Sequence, residues 1–350
     1  MLLEGIILYC SSQIGTERTG ASIYHLLNGK KSIQTVQDAH VYNLTSFYGV
    51  HKRLSQQRFN AIIRELMTYD RLQKTSTTLI YTPTIAGEDW LHKHKPNLPF
   101  NYYNGLKYHD TGTIFLDRLT LLIQTLTNSK MNYFTFIPVI DKLPIENWVK
   151  SFYIKMKPHE PKLLPVIYKE LHILLQNLSD QEAELFIDRL TGFKNYGMSI
   201  TQLADTYKFS PDDVQLMLVA ITHRMFETIE NNNNFPILGL VIKDLVNTTL
   251  LTNSAATTYN LLQKKHSIDE ISRIRNLKSN TIYDHIVEIA LYDVDFSIIN
   301  YVSEESQLDI TNAVTEANSY KLRDIMQLVD EEISYFQIRL VLAKAKKFLK

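Results

Sequence analysis

Apolar residues recur three and four positions apart along most of the chain, as at Phe59, Ile62, Ile63 and Leu66 and again at Ile282, Ile286 and Ile289. That spacing gathers them on one side of a helix. Glycine and proline, with 11 and 10 copies in 350 residues, are too sparse to interrupt the pattern often. The predicted fold is therefore mainly α. One stretch departs from it: Leu72 to Thr82 is rich in β-branched and aromatic residues and runs into Pro83, which predicts a short hairpin. Three breaks divide the chain, at Lys93 to Asp110, at Lys155 to Pro161 and at the asparagine run before Phe235 and Pro236. They predict a winged-helix-like domain over 1–92, a linker plus helical middle domain with a helix-turn-helix-like unit over 93–235, and a C-terminal helix-turn-helix domain over 236–350.

The strongest local pattern lies between Ser254 and Ala290. A first helix over Ala255 to Lys265 is followed by Ser267, whose hydroxyl suits the free N–H groups of a second helix, with Asp269 and Glu270 at its positive end. After Arg275 and Asn276, Ser279 opens a third helix. Its predicted outward face carries Asn280, Thr281, Tyr283 and Asp284. A helix of this kind enters a major groove end-on. Arg275, Lys278, Ser279 and the free N–H groups would then meet phosphate, and Asn280, flanked by Thr281 and Tyr283, an adenine edge. Five basic residues against four acidic ones in the unit suit plain packing equally well.

Two further units share the pattern. Met198 to Phe226 has a good cap at Ser210 with Pro211 behind it, but Asp212 and Asp213 stand where a phosphate would come, so a structural unit is preferred. Near the start, Arg18 to Leu27, Ile33 to Phe47 and Ser55 to Tyr69 predict three helices with the hairpin as a wing. Lys52, Arg53 and Arg58, and Lys74 on the wing with its neighbouring hydroxyls, are the candidate phosphate contacts; no acid follows them before Glu65.

Charge complicates a nucleic-acid reading. Thirty-seven basic residues face 37 acidic ones, a net charge of zero, which excludes a polybasic coat. Basic residues still cluster, at His51 to Arg53 with Arg58 and at Arg339, Lys344, Lys346, Lys347 and Lys350, so the expectation is weak, salt-sensitive binding through small patches. Enzymatic chemistry finds little support. No phosphate-binding loop of the form G-x-x-x-x-G-K-[ST] occurs, and the nearest string, Asn28 to Ser32, reads as a turn. Cys10 is the single cysteine, which excludes a disulfide framework and a multi-cysteine zinc site. His92, His94 and His109 near Asp110 read as loop residues rather than metal ligands. Tyr102, Tyr103 and Tyr108 read as loop packing rather than as base-stacking platforms. No metal, cofactor or catalytic residue is expected. The first residues lack a basic region before an apolar one, and no apolar run reaches about 18 residues, so a cytoplasmic protein with no membrane contact is expected.

The strings Ser267 to Ile271, Arg275, Thr281 to Ile286 and Ile333 to Val341 make Thr257 to Lys347 resemble the helix-turn-helix domain that ends some RecQ-type helicases. With Ser22 to Ser32 and Gln37 to His40, the whole chain resembles the YpbB family of low-GC Gram-positive bacteria. Ser272 stands where that domain commonly has alanine, and Tyr292 where a glycine turn is common. The family's gene commonly neighbours one for a RecQ-like helicase that is short at its C-terminus. The resemblance thus implies a non-catalytic DNA-binding protein that partners such a helicase on forked or single-stranded DNA during repair or recombination. A dimeric transcriptional regulator and a protein-only scaffold are the rival readings.

Overall fold

The computed structural model describes residues 1–75, 79–246 and 251–344. The first unit contains α1 (Leu2–Ile14), α2 (Gly20–Asn28), α3 (Ile33–Val41), α4 (Gln56–Thr68), a hairpin of β1 (Leu72–Lys74) and β2 (Tyr81–Pro83), and α5 (Ile85–His94). The middle unit contains α6 (Gly105–Tyr108), α7 (Thr111–Lys130), α8 (Leu143–Met156), α9 (Glu160–Leu175), α10 (Asp180–Asp188), α11 (Ile200–Tyr207), α12 (Pro211–Glu230) and α13 (Pro236–Ile242). The last contains α14 (Asn253–Gln263), α15 (Ile268–Arg275), α16 (Ser279–Tyr292), α17 (Glu304–Ala317), α18 (Leu322–Met326) and α19 (Tyr335–Lys344). The mainly α expectation holds, and the expected hairpin forms with Leu72 opposite Pro83.

Helix α1 is apolar nearly all round, with Leu3, Ile6, Ile7, Leu8 and Cys10 buried, so it lies at the centre of the first core and not on its surface. Burial raises the Cys10 thiol well above its ordinary value, which leaves no reactive thiolate there. The hairpin folds back onto this core. Tyr81 packs against it and the Gly20 N–H donates to the Leu79 carbonyl at 2.8 Å. A side chain on Gly20 would meet the Tyr81 ring at 2.9 Å, so glycine is what permits the approach.

Packing moves the unit boundaries. Lys93 to Asp110 is not a linker. Phe100 and Tyr103 belong to the first core, and Tyr108 is buried in the second. Gly105 makes this path possible, since a Cβ there would fall 2.2 Å from the Tyr48 carbonyl oxygen. Likewise Phe235, Ile237, Leu238, Val241 and Ile242 fill the middle core, so that core runs past the boundary expected at 235. The buried Glu170 carboxylate fixes α13 by accepting from the Ile237 and Leu238 N–H groups at 2.9 and 2.8 Å.

The second helix-turn-helix-like unit is the structural joint. Leu216 and Ala220, four apart on α12, enter the first core, while Val214, Leu218, Ile221 and Met225 enter the middle one. At its start Asp213 is buried and accepts from the backbone N–H groups of Leu2 and Leu3, both at 3.0 Å. Asp212 beside it pairs with His51 Nε2 at 2.9 Å and Arg58 Nε at 2.7 Å.

Replacing Asp213 by Ala should lower stability to urea by about 2–3 kcal/mol, because it strands buried N–H donors at the head of α1. Asp213→Asn, which keeps one acceptor oxygen, should recover part of that loss. Asp212 is held below the ordinary carboxylate range, first by its hydrogen bond with His51. Its contribution is therefore complete above about pH 4 and is lost as pH falls through the lowered folded value, which an acid titration of the circular dichroism signal would follow.

Candidate nucleic-acid interface

The helix-turn-helix forms with the predicted cap at Ser267, whereas Lys278 and not Ser279 takes the cap position of α16, where no side chain caps the helix. Ser267 Oγ accepts from the Glu270 N–H while the Glu270 carboxylate accepts from the Ser267 N–H at 2.8 Å. Asn276, at φ 50°, closes α15 in the left-handed conformation that asparagine tolerates. Ser272, where alanine is common, donates its hydroxyl to the Leu277 carbonyl across the same turn. Helix α14 is started by Thr252, whose N–H and hydroxyl both donate to Glu288 of α16 at 2.6 and 3.2 Å.

Helix α16 has much less free surface than its isoleucine stripe suggested. Ile282, His285, Ile286, Val287, Ile289, Ala290 and Leu291 are all buried, which wraps apolar surface round most of the helix. Helices α14, α15, α19 and α3 enclose it. Tyr283 stacks on Phe336 at 4.3 Å and Asp284 pairs with Arg339 at 2.7 Å, so the predicted outward face is largely covered. Only the tip stays open: Lys278 and Asn280 are exposed, Ser279 and Thr281 half-buried, and no side chain caps the first turn.

Other candidate residues are partly consumed within the protein. The Arg275 guanidinium donates to the Ser254 carbonyl at 2.7 Å, to the Ser254 hydroxyl at 2.9 Å and to the Thr258 hydroxyl, tying α15 to α14. Thr258 in turn bonds His285 Nδ1 at 2.8 Å. Lys52 pairs with Asp110 and Arg58 with Asp212, acids distant in sequence. Arg53, Arg64 and Lys74 are exposed, with no ion pair or hydrogen bond to a carboxylate among the described residues. In the final segment Arg339 is used by Asp284 and Gln37, and Lys344 donates to the Asp293 and Val294 carbonyls. Lys346, Lys347 and Lys350, and the wing hydroxyls of Ser76 to Thr78, lie outside the described residues.

The C-terminal domain sits on α3 of the first unit. Ile33 and Val36 of α3 pack into its core. Gln37 and Arg339 exchange hydrogen bonds at 3.0 and 3.3 Å, and Tyr292 meets the His40 ring edge-on at 5.6 Å. Glu17 accepts from the Tyr320 N–H at 2.8 Å and the Ser319 hydroxyl at 3.0 Å. No local pattern in the sequence marks these contacts, which join residues about 300 apart in the chain; the polar side chains at Glu17 and Gln37 read as ordinary surface.

Arg275→Ala should cost about 1–3 kcal/mol of stability, since it takes the charged donor from the buried Thr258 hydroxyl and unties α15 from α14. Lys278→Ala should fall within about 0.5 kcal/mol of the parent. Thermal melts of the two variants would separate the structural residue from the exposed one.

Residues 254–342 match the family described as helix-turn-helix domain. Over 340 residues the chain is 29% identical to Protein YpbB of Bacillus subtilis (strain 168), a match that covers 97% of this chain and 96% of that protein. No solved structure matches. Among the described residues no helix is long and apolar enough to cross a membrane. A helix-turn-helix domain with an open tip supports a DNA-binding protein, and over nearly its whole length the chain is similar to Protein YpbB.

Proposed function

We propose that the protein is a non-catalytic DNA-binding accessory factor that partners a RecQ-type helicase in DNA repair or recombination in the cytoplasm. The observation that carries DNA contact is the open first turn of α16, where Lys278 and Asn280 are exposed at the tip of a helix-turn-helix domain. Free N–H groups and a lysine at a helix start suit a phosphate, and an exposed asparagine beside them suits a base edge. Partnership with a helicase draws support from the resemblance of this domain to the one that ends some RecQ-type helicases. A motor would supply most of the grip. That fits a neutral chain in which Lys52, Arg58 and Arg339 are paired within the fold, because linked modules bind tightly even when each is weak. Arg53 and Lys74 of the first unit, both exposed, are secondary contact candidates. In this reading Arg275 and Tyr283 support the tip and do not touch DNA. The scaffold reading draws on the burial of α16, and it predicts no DNA binding even at about 50 mM salt.

The test combines co-purification with the cognate RecQ-type helicase and gel shifts on forked DNA. Complex formation is expected, together with a low-salt shift whose salt dependence loses about one unit of slope in Lys278→Ala. Absence of both complex and shift would overturn the proposal.

A further inference from the structure

A cavity of about 210 Å³ lies where the first and middle units meet. Lys52 and Arg53 enter it from the turn before α4, Lys142 from the turn before α8, and Arg189 from the end of α10. Gly112 and Thr113 of the first turn of α7 complete that side. Four cations therefore share a small space with a single lining carboxylate, Asp117, which Lys142 already holds at 2.5 Å. Lys52 is occupied by Asp110 at the rim.

The two arginines are the informative pair. Among the described residues Arg53 has no hydrogen-bond partner, and Arg189 has only the Met198 carbonyl, at 2.9 Å. Arg189 is held below its ordinary value, first by burial, with Asp117 opposing and the like charge of Arg53 adding to the depression. Two guanidinium groups that repel each other in a half-enclosed space, with most of their donors unused, are an arrangement that an anion would relieve.

A second feature points the same way. Helix α7 has 20 residues, and no side chain caps its first turn, which leaves N–H groups unanswered at its positive end. His223, 3% exposed, accepts from the Asn104 N–H through Nδ1 at 3.1 Å. Burial pushes this histidine down to about 3, so the ring is neutral and its proton sits on Nε2. That Nε2 has no partner among the described residues, and it lies 3.5 Å from where a Gly112 Cβ would project. An unused donor thus faces the uncapped helix start, and glycine at 112 keeps the space between them open.

We propose that this cavity is a binding site for a phosphate group, held by Arg53 and Arg189, by the first-turn N–H groups of α7 and by His223 Nε2. Its volume falls below the roughly 300 Å³ at which drug-sized ligand pockets begin. It therefore accepts a phosphate, with at most an attached sugar. The phosphate belongs either to a small phosphorylated molecule or to a nucleic-acid strand whose bases stay outside. The site is independent of the helix-turn-helix domain and does not rest on the helicase reading.

The test uses the full chain and calorimetric titration at low salt with inorganic phosphate, pyrophosphate, ribose 5-phosphate and a ten-nucleotide single strand. Saturable binding of at least one probe is expected. Arg53→Ala, which removes an exposed and unpaired side chain and so should melt like the parent, is expected to weaken it about tenfold or more. Arg189→Lys keeps the charge but loses the fork, and should weaken it as well. Lys169→Ala, at an exposed lysine of α9 outside the cavity lining, should leave it unchanged. Binding by the small probes assigns a small-molecule source, and binding by the strand alone assigns a nucleic-acid source. Failure of every probe to bind, or equal affinity in the parent and both arginine variants, would overturn the proposal.

Discussion

The Asp213 carboxylate at the head of α1 is the contact on which the rest of the architecture hangs. It accepts from two backbone N–H groups at the start of the most buried helix of the first core, and it stands at the start of the helix that joins that core to the middle one. A helix end buried without partners is costly, so α1 can occupy the core centre only because α12 brings an acceptor to it. The same solution recurs where Glu170 meets α13, where Glu288 meets α14 and where Glu17 meets the backbone before α18. In each case a carboxylate from one element answers the exposed donors near the start of another.

This use of acids changes the meaning of the charge balance. Equal numbers of acidic and basic residues describe an interior economy of caps and pairs rather than a bland surface. Asp110, Asp212 and Asp284 pair with Lys52, Arg58 and Arg339, cations that would otherwise face solvent or a polyanion. Lys278 at one tip and Arg53 beside one cavity carry no ion pair among the described residues.

Much of the local structure was legible in the sequence because it is determined locally. Ser55, Ser210 and Ser267 mark true helix starts, since a hydroxyl at the cap serves N–H groups two or three residues on, whereas Ser279 lies one residue inside its helix. The hairpin and the turn at Asn276 were legible for the same reason. The surroundings of α16 were not. Its isoleucine stripe reads as one buried face, and nothing within the helix reveals that α19 and α3 cover the others. Arg275 illustrates the limit: a basic residue in a recognition turn looks like a phosphate contact until Ser254 and Thr258 are placed beneath it. The absence of acids between Arg58 and Glu65 likewise says nothing about Asp212, which arrives from more than 150 residues away.

Helix α3 lies inside the first unit and also carries the C-terminal domain. That domain is therefore not a reader swinging on a tether. Its orientation toward any duplex is settled when the chain folds, so the rotational freedom that a tethered module would surrender on docking is already gone. A weakly charged tip benefits most from such an arrangement, because little of its modest interaction energy is needed to bring it to order.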